Sequence, residues 1–376
     1  MKNIDMIIIP EIIEYSESAA MIQLTEELKH FSKFFRVKLF IQEKYKDKVI
    51  ADKLYLVKSL KPHSLLGKIV TGLIYFFTII IRMREIKKAH VIYFRHGLNS
   101  LTLSLFLQRI LKLNYILEVN GILSLSDEIN RFLRNYPLAN ILAKFIYVIE
   151  YNVLKHAAMI FTVTNQLKKF ILHMNPLLFS KKKVIVVPNG VNIAIFKPMN
   201  KNVVRKMLGL PANAIVICFI GNYAPWHDFD IIFRLAALYN GSSRNIIFMI
   251  VGNGKIKEAI SKLSSTYNVK PKNLLLIGPV KHEHIVYYIN ASDFCLAPFK
   301  KRRTLLTGAM PLKVLEYAAC GKIIITCNIP GVKEVVEKFF LGRVVKCEEL
   351  SEYARIIDEL LKIINSDRYN TISVSY

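Results

Sequence analysis

The sequence has 376 residues, of which 53% are hydrophobic and 22% are charged. A composition this apolar excludes a disordered or collagen-like protein, and the length is enough for two domains of ordinary size. The 53 Lys and Arg residues against 28 Asp and Glu residues give a formal charge of +25, which indicates an acidic partner such as phosphate, anionic lipid or nucleic acid. The sequence has no RRM, KH or zinc signature and no basic-aromatic alternation, so we expect no nucleic-acid partner.

Short runs rich in Ile and Val alternate along the chain with longer stretches of helical period. In the first half the predicted strands lie at 5–9, 36–41, 91–94, 115–119, 159–163 and 184–187. The same alternation restarts with predicted strands at 215–220, 246–251, 274–277, 294–297 and 322–326. This pattern predicts an α/β protein with two Rossmann-like, doubly wound domains, each with a parallel sheet. The segment 187–200, which is interrupted by Pro and Gly, predicts domains 1–188 and 189–376 that face a central ligand-binding cleft.

The longest apolar run, 69–81, has basic residues on both sides. As a helix it spans about 20 Å, against about 30 Å of bilayer hydrocarbon, so we expect it not to cross a membrane. Two interpretations stay open, a buried core helix and a helix lying in the membrane interface. Between Asp52 and Glu118 the only acidic residue is Glu85, against eleven basic residues. This favours a peripheral protein on the anionic inner face of the cell membrane, and a solvated basic face is the alternative.

The five cysteines have no metal-binding spacing, and the N-terminus lacks the apolar core of a signal peptide. We therefore expect a cytoplasmic protein with reduced, buried thiols and no bound metal.

The segment PLKVLEYAACGKIIIT (311–326) predicts a helix followed by a strand. Lys313 and Glu316 lie on one face of this helix, and the small-residue loop TGAM (307–310) precedes it. A helix N-terminus binds phosphate well, so Lys313 is placed to neutralise a diphosphate and Glu316 to accept hydrogen bonds from a ribose. The alternative interpretation of this spacing is an ordinary surface ion pair.

A second segment, FIGNYAPWHDFD (219–230), predicts a strand, a loop and the start of a helix. Gly221 permits a close turn after the strand, and Asn222 and His227 follow it in the loop. His227 either donates to a leaving phosphate or is simply solvated. The turns VGNGK (251–255) and IGPV (277–280) repeat the pattern after the next two strands.

Taken together with VVPNGVNIAIFKP (186–198), ASDFCLAPF (291–299) and PGVKEVVE (330–337), these segments resemble the retaining glycosyltransferases of the group-1 family (family 4), which have the GT-B fold. The resemblance covers about 150 residues of the C-terminal domain. The N-terminal half matches more loosely, through HVIYFR (90–95) and YILEVNG (115–121).

The resemblance implies that a nucleotide sugar binds mainly to the C-terminal domain, 189–376, and that the N-terminal domain, 1–188, binds the acceptor. The sugar would be transferred with retention, without a metal or cofactor, to a saccharide acceptor that we expect to be lipid-linked, in cell-surface polysaccharide or glycolipid synthesis. The implied catalytic residues, which face phosphate, sugar or acceptor, are Arg95, Asn120, His227 and Lys313. The implied donor-binding residues are Gly221, Asn222, Gly252, Gly278, Val280, Gly308, Ala309, Met310, Pro311, Leu312 and Glu316.

Several positions depart from the family pattern. Gly308 stands where the first Glu of a paired-glutamate motif is expected, and Asn222 and His227 stand near a usual Arg and Lys. The first loop, EYSESAA (14–20), lacks the usual paired glycines, and the chain ends soon after a predicted helix at 349–364. Two other functions therefore stay open: a weak or inactive nucleotide-sugar-binding partner subunit, and a nucleotide-sugar epimerase of the same architecture.

Overall fold

The structure is a computed structural model that describes residues 4–11, 18–58, 65–97, 103, 104, 106, 108, 112–125, 139–224, 226–252 and 263–364. The chain divides into two compact units, Met1–Pro188 and Asn189–Tyr376. Each unit has a parallel sheet with helices between its strands, so the predicted α/β class with two Rossmann-like sheets is confirmed. The acceptor and donor roles assigned to the two units stay predictions.

The first unit contains, within its described residues, a seven-stranded sheet of order β3-β2-β1-β4-β5-β6-β7 in which every pair is parallel. Its strands are β1 Asp5–Ile9, β2 Arg36–Gln42, β3 Lys53–Val57, β4 Val91–Arg95, β5 Ile116–Val119, β6 Met159–Thr162 and β7 Lys183–Val186. Its described helices are α1 Ala19–Phe34, α2 Leu65–Ile81, α3 Met83–Ile86, α4 Ala139–His156, α5 Asn165–Met174 and α6 Pro176–Phe179. The strand order reverses between β1 and β4, the kind of position at which open α/β sheets bind ligands.

The second unit contains, in the part that the structure describes, a six-stranded parallel sheet of order β10-β9-β8-β11-β12-β13. Its strands are β8 Ile215–Ile220, β9 Ile246–Val251, β10 Leu274–Gly278, β11 Phe294–Ala297, β12 Ile323–Cys327 and β13 Gly342–Val345. Its described helices are α7 Lys201–Leu208, α8 Phe229–Leu238, α9 Ile285–Ala291, α10 Arg302–Thr307, α11 Leu312–Ala319, α12 Val332–Lys338 and α13 Leu350–Ile364. The corresponding reversal of strand order lies between β8 and β11.

The core of the second unit follows directly from its apolar runs. All six residues of β9 are buried, because helices cover both faces of an inner parallel strand. The helix predicted at 349–364 is present as α13, whose buried residues recur at the helical period: Tyr353, Ile356, Ile357, Leu360 and Leu361. Two strands were not predicted, β3 and β13. Both are edge strands with only a short apolar run, and each contains exposed residues.

The apolar run at 69–81 lies within α2, which has one buried and one exposed face. Thr71, Tyr75 and Ile79 are buried, whereas Leu73, Phe77 and Ile81 are each more than half exposed. Among the described residues, the structure contains no helix with the length and hydropathy needed to span a bilayer.

The expectation of reduced thiols is wrong for one pair of cysteines. Cys327, at the end of β12, and Cys347, just after the neighbouring β13, form a disulfide with their Cα atoms 4.8 Å apart. Parallel pairing of β12 with β13 brings the ends of the two strands together, which the sequence separation of 20 residues conceals. Cys218, Cys295 and Cys320 are buried free thiols, as expected.

Candidate functional site

Three strand ends in the second unit carry glycine, as the sequence predicted. Gly221 follows β8, Gly252 follows β9 and Gly278 ends β10. Backbone hydrogen bonds of 2.9 Å extend the sheet through these ends, from the Gly221 N–H to the Val251 carbonyl and from the Gly252 N–H to the Gly278 carbonyl. A Cβ atom on Gly252 would lie 2.0 Å from the Gly221 carbonyl oxygen, so this packing requires glycine. At these three glycines the strand ends have no side chains, so a ligand can approach their backbone closely.

Lys313 and His227 meet beside this edge. The Nζ atom of Lys313, in α11, donates to Nε2 of His227 at 3.2 Å and lies 3.8 Å from the ring centre of Phe219. A Cβ atom on Gly221 would lie 2.8 Å from the same Nζ atom, and Gly221 has φ of +144°. Glycine at this position therefore makes room for the ammonium group. The fold brings together Lys313, His227 and Gly221, which the sequence nominated from segments about 90 residues apart.

His227 is not the solvated loop histidine that the sequence left open. Its exposed fraction is 6%, and its ring lies among Phe219, Phe229 and Phe299, with ring centres 5.2, 6.3 and 5.4 Å away. The loop is fixed because the Asp228 N–H donates to the Pro298 carbonyl at 3.1 Å. The position of the imidazole is thus set by packing of the core.

The Lys313–His227 pair is a buried basic site. Burial lowers the pKa of Lys313 well below its ordinary value, although the nearby Glu316 charge opposes this. Burial and then the Lys313 charge lower the pKa of His227 well below its ordinary value. Since Lys313 donates to Nε2, the proton of the neutral imidazole is on Nδ1, an atom that is buried and has no hydrogen-bond partner among the described residues. An anion at this site would supply the missing acceptor and counter-charge.

Glu316 lies one helical turn beyond Lys313 and is 5% exposed. Its Oε1 atom accepts a hydrogen bond of 2.6 Å from Nε2 of His282, a residue that the sequence did not nominate. The His282 ring also packs against Phe196, with ring centres 5.1 Å apart. His282 lies two residues after the half-buried Val280. The IGPV turn is therefore the sequence feature that could have identified His282. The alternative of a Lys313–Glu316 surface ion pair is excluded, because both side chains are buried and the two form no salt bridge.

The loop before α11 is held on two sides. Gly308 has φ of +71°, and the Ala309 N–H donates to the Pro330 carbonyl at 2.9 Å. The Met310 carbonyl accepts a hydrogen bond of 2.6 Å from Nδ2 of Asn189. The prediction that the Ala309 amide faces a phosphate is therefore corrected, since this amide already has an acceptor.

The amides that remain for an anion are those of the first turn of α11. Pro311 caps the helix and has no N–H group, whereas the Leu312 and Lys313 amides lack an acceptor within the helix. Asn222 is exposed at the end of β8, where the sequence placed it.

In the first unit, the predicted sugar-facing role of Arg95 is corrected. Arg95 is 1% exposed, its Nε lies 3.1 Å from Oε2 of Glu118, and its guanidinium donates to the Ala20 carbonyl at 2.8 Å and to Oε1 of Gln23 at 2.7 Å. Arg95 contacts these groups for two reasons. Glu118 is on β5, the neighbour of β4, and Ala20 and Gln23 are on α1, which covers this part of the sheet. Asn120 is exposed, as expected for a ligand contact, and donates to Oε1 of Glu118 at 2.8 Å.

The sequence did not predict a second buried hydrogen-bond network in this unit. His96, directly after β4, is hydrogen-bonded through Nε2 to Oε1 of Glu150 at 2.7 Å. Glu150, in α4, also accepts from the Ser124 N–H at 3.0 Å and from the Ser124 hydroxyl at 2.6 Å. This network holds the loop after β5 against α4.

The outer surfaces of α2 and α4 expose apolar side chains. We use the term apolar face for six residues that are each more than half exposed: Leu73, Phe77, Ile81, Ile141, Phe145 and Val148. α2 leads from β3 to β4 and α4 leads from β5 to β6, so right-handed crossovers place both helices on one side of the sheet, opposite α1. Exposed basic residues between α2 and α3, on α3, in the turn after α3 and on α4 accompany this face: Arg82, Arg84, Lys87, Lys88, Lys144 and Lys155.

The residues 200–371 match the family model of Glycosyl transferases group 1. A curated relative, the D-inositol 3-phosphate glycosyltransferase of Mycobacterium bovis, is 24% identical over 192 residues, which are 51% of this chain and 38% of the relative. The chain thus spans well under half the length of this curated relative.

Two solved structures resemble the whole chain in fold. The sucrose-phosphate synthase of Thermosynechococcus elongatus has a TM-score of 0.72 at 16% identity and covers 95% of this chain and 90% of its own. Anabaena HepE in complex with UDP-glucose has a TM-score of 0.70 at 15% identity and covers 98% of this chain and 92% of its own. Residues 200–371 therefore match the group 1 glycosyltransferase family, and the chain has the GT-B fold that the motifs implied.

Proposed function

We propose that this protein is a retaining glycosyltransferase that moves a sugar from a nucleotide-sugar donor to a saccharide acceptor. The observation that carries the proposal is the buried Lys313–His227 pair at a glycine-lined sheet edge. Lys313 forms no ion pair with any carboxylate among the described residues, so the site holds a basic group that an anion can pair with. A diphosphate is the anion that such a site, next to the first turn of a helix, is suited to bind.

The donor would occupy the carboxyl ends of β8, β9 and β10. Its diphosphate would contact Lys313, the Nδ1–H of His227 and the Leu312 amide, while its ribose would contact Glu316. A UDP-linked hexose is the first donor to test, because HepE, which has the same fold, binds UDP-glucose.

The chemistry assigned to this arrangement is transfer on one face of the sugar. The bond from the sugar C1 to the diphosphate oxygen breaks, the bond from C1 to the acceptor oxygen forms on the same face, and the acceptor proton passes to the departing diphosphate. The protein's contribution is to position the reactants and to stabilise the developing diphosphate charge with Lys313 and the helix amides. We propose that this stabilisation needs neither a bound metal nor a cofactor.

The acceptor is proposed to be lipid-linked, in the synthesis of a cell-surface polysaccharide or glycolipid. This rests on the apolar face and its basic surroundings, which together suit the inner surface of an anionic cell membrane. The acidic residues of α3 and α4 offset only a small part of this charge. Glu85 forms salt bridges with Lys53 and, at 3.7 Å, with Arg82, and Glu150 is fully buried. The protein would then be cytoplasmic and peripheral.

Product analysis tests the proposed reaction. The full-length protein is incubated with UDP-glucose and a panel of lipid-linked saccharides, and the anomeric configuration of the product is measured by NMR. The expected product has the same configuration at C1 as the donor, and an inverted product would contradict the proposed mechanism. Conversion of the donor sugar without an acceptor would identify an epimerase instead, and donor binding without transfer would identify an inactive subunit.

Vesicle binding tests the proposed membrane surface. Phe77→Asp removes an exposed ring from the apolar face, and burial of such a ring contributes about 1.5 to 3 kcal/mol, so affinity for phosphatidylglycerol vesicles should fall at least about tenfold. Phe34→Asp is the matched control, because Phe34 is 71% exposed on α1, on the opposite side of the sheet. Equal effects of the two substitutions would argue against this surface.

A further inference from the structure

The Glu316 carboxylate has one occupied oxygen and one free oxygen. Oε1 accepts from His282, whereas Oε2 has no hydrogen-bond partner within the described part of the chain. Because an ionised carboxylate only accepts, Nε2 of His282 carries the proton in this contact. Oε2 is therefore left as an acceptor for a ligand hydroxyl.

The His282 ring is held in place from two directions. It starts the short 3₁₀ turn His282–His284 after β10, and it lies between Phe196 and the Glu316 carboxylate. Its side chain is 20% exposed, whereas that of His284, two residues later, is 53% exposed. His282 thus joins the turn after β10 to the middle of α11, across 34 residues of sequence.

The terminal torsion of a glutamate side chain is broad, so a carboxylate without a fixed partner samples many orientations. A donor fixed at Oε1 restricts this rotation and directs Oε2. Ordering the acceptor before the ligand arrives lowers the cost of binding, as pre-organisation generally does.

We propose that His282 is a positioning residue for the nucleotide, which acts by orienting Glu316 toward the ribose hydroxyls. The inference rests on the proposed function, since it assumes that the site binds a nucleoside diphosphate. If His282 orients Glu316, its loss should weaken the binding only of ligands that carry ribose hydroxyls. If His282 were merely a structural link, its loss would weaken the binding of all ligands of this site.

A thermodynamic cycle tests this distinction by combining substitution of His282 with removal of the ribose hydroxyls from the ligand. Calorimetric titrations compare UDP with 2′,3′-dideoxy-UDP on the wild type, on His282→Ala and on His284→Ala as the matched control. The wild type should prefer UDP, and His282→Ala should weaken UDP binding by about tenfold while leaving dideoxy-UDP binding unchanged. His284→Ala should change neither affinity, because His284 makes no contact with Glu316.

His282→Gln serves as a second variant, because its amide offers an N–H donor to the same carboxylate oxygen. It should restore part of the preference for UDP, and its melting temperature shows whether the fold is retained. An equal loss of affinity for both ligands, or no loss for either, would overturn the inference. If the wild type binds none of UDP, GDP, ADP and dTDP, the proposed function fails, and the inference fails with it.

Discussion

Replacement of Lys313 by Met should make the empty protein more stable and the nucleotide complex weaker. Met has a similar length, so it fills the space beside Phe219 and Gly221 without the charge. Because the pKa of Lys313 is lower in the folded protein than its ordinary value of about 10.4, the unfolded chain binds more protons between these two values. Stability therefore rises with pH through that window and is reduced below it.

The size of the effect follows from burial. A buried polar group that is not fully hydrogen-bonded costs about 1 to 3 kcal/mol, and Lys313→Met removes this cost. The melting temperature of the second unit should therefore rise by roughly 2 to 12 °C, given about 2 to 4 °C per kcal/mol for a unit of this size. Loss of the charge-assisted contact to a diphosphate should weaken UDP binding by roughly 10- to 150-fold.

Thermal melts at pH 7 and calorimetric titration with UDP measure the two effects. Lys322→Met is the matched control, because Lys322 is half-buried and donates to the Asn290 and Ser292 carbonyls, both at 3.0 Å, at the other end of the sheet. This control should keep its affinity for UDP. A lower melting temperature for Lys313→Met together with unchanged UDP affinity would contradict a role of Lys313 in diphosphate binding.

Three further predictions concern the two sheets. Burial, followed by the charge of Glu118, raises the pKa of Glu27 to about 8, so folding of the wild type should lose stability as the pH rises from about 4.3 to 8. Glu27→Gln should flatten this part of a denaturation profile measured against pH, and an unchanged slope would contradict the assignment. Arg95→Leu leaves the Glu118 carboxylate buried without its cation, so it should reduce the free energy of unfolding by about 3 to 5 kcal/mol in urea titrations. A loss below about 1 kcal/mol would mean that the Arg95–Glu118 pair contributes little to stability. Gly252→Ala should separate the ends of β8 and β9, since its Cβ atom would overlap a backbone carbonyl, and should weaken UDP binding together with stability; wild-type melting and binding would show that the glycine is not required.

The fold was predictable from the sequence wherever burial is continuous. β9 reads as six consecutive apolar residues because both of its faces are covered, and the motif GAMPLKVLEYAACGK (308–322) marks the loop and helix at the site. The edge strand β3 was missed because its apolar run is short: four residues, 54–57, lie between Lys53 and Lys58.

The features that the sequence did not predict depend on contacts between residues that are far apart in the sequence. Arg95 was expected to face a ligand because it ends a strand, but the Glu118 carboxylate on the neighbouring strand and the Ala20 carbonyl hold it inside. His282 was missed because only the fold brings it to Glu316. The helix α2 is apolar on all sides, so its hydropathy alone did not separate its packed face from its exposed one.

The central claim is that Glu316, Lys313 and His227 form a site for a nucleotide sugar. Calorimetric titration of the wild type and of Glu316→Ala with UDP-glucose tests it most directly. We predict that the wild type binds and that Glu316→Ala binds roughly 10- to 150-fold more weakly, because a charge-assisted hydrogen bond to the ribose is lost. An unchanged affinity in Glu316→Ala would contradict the claim.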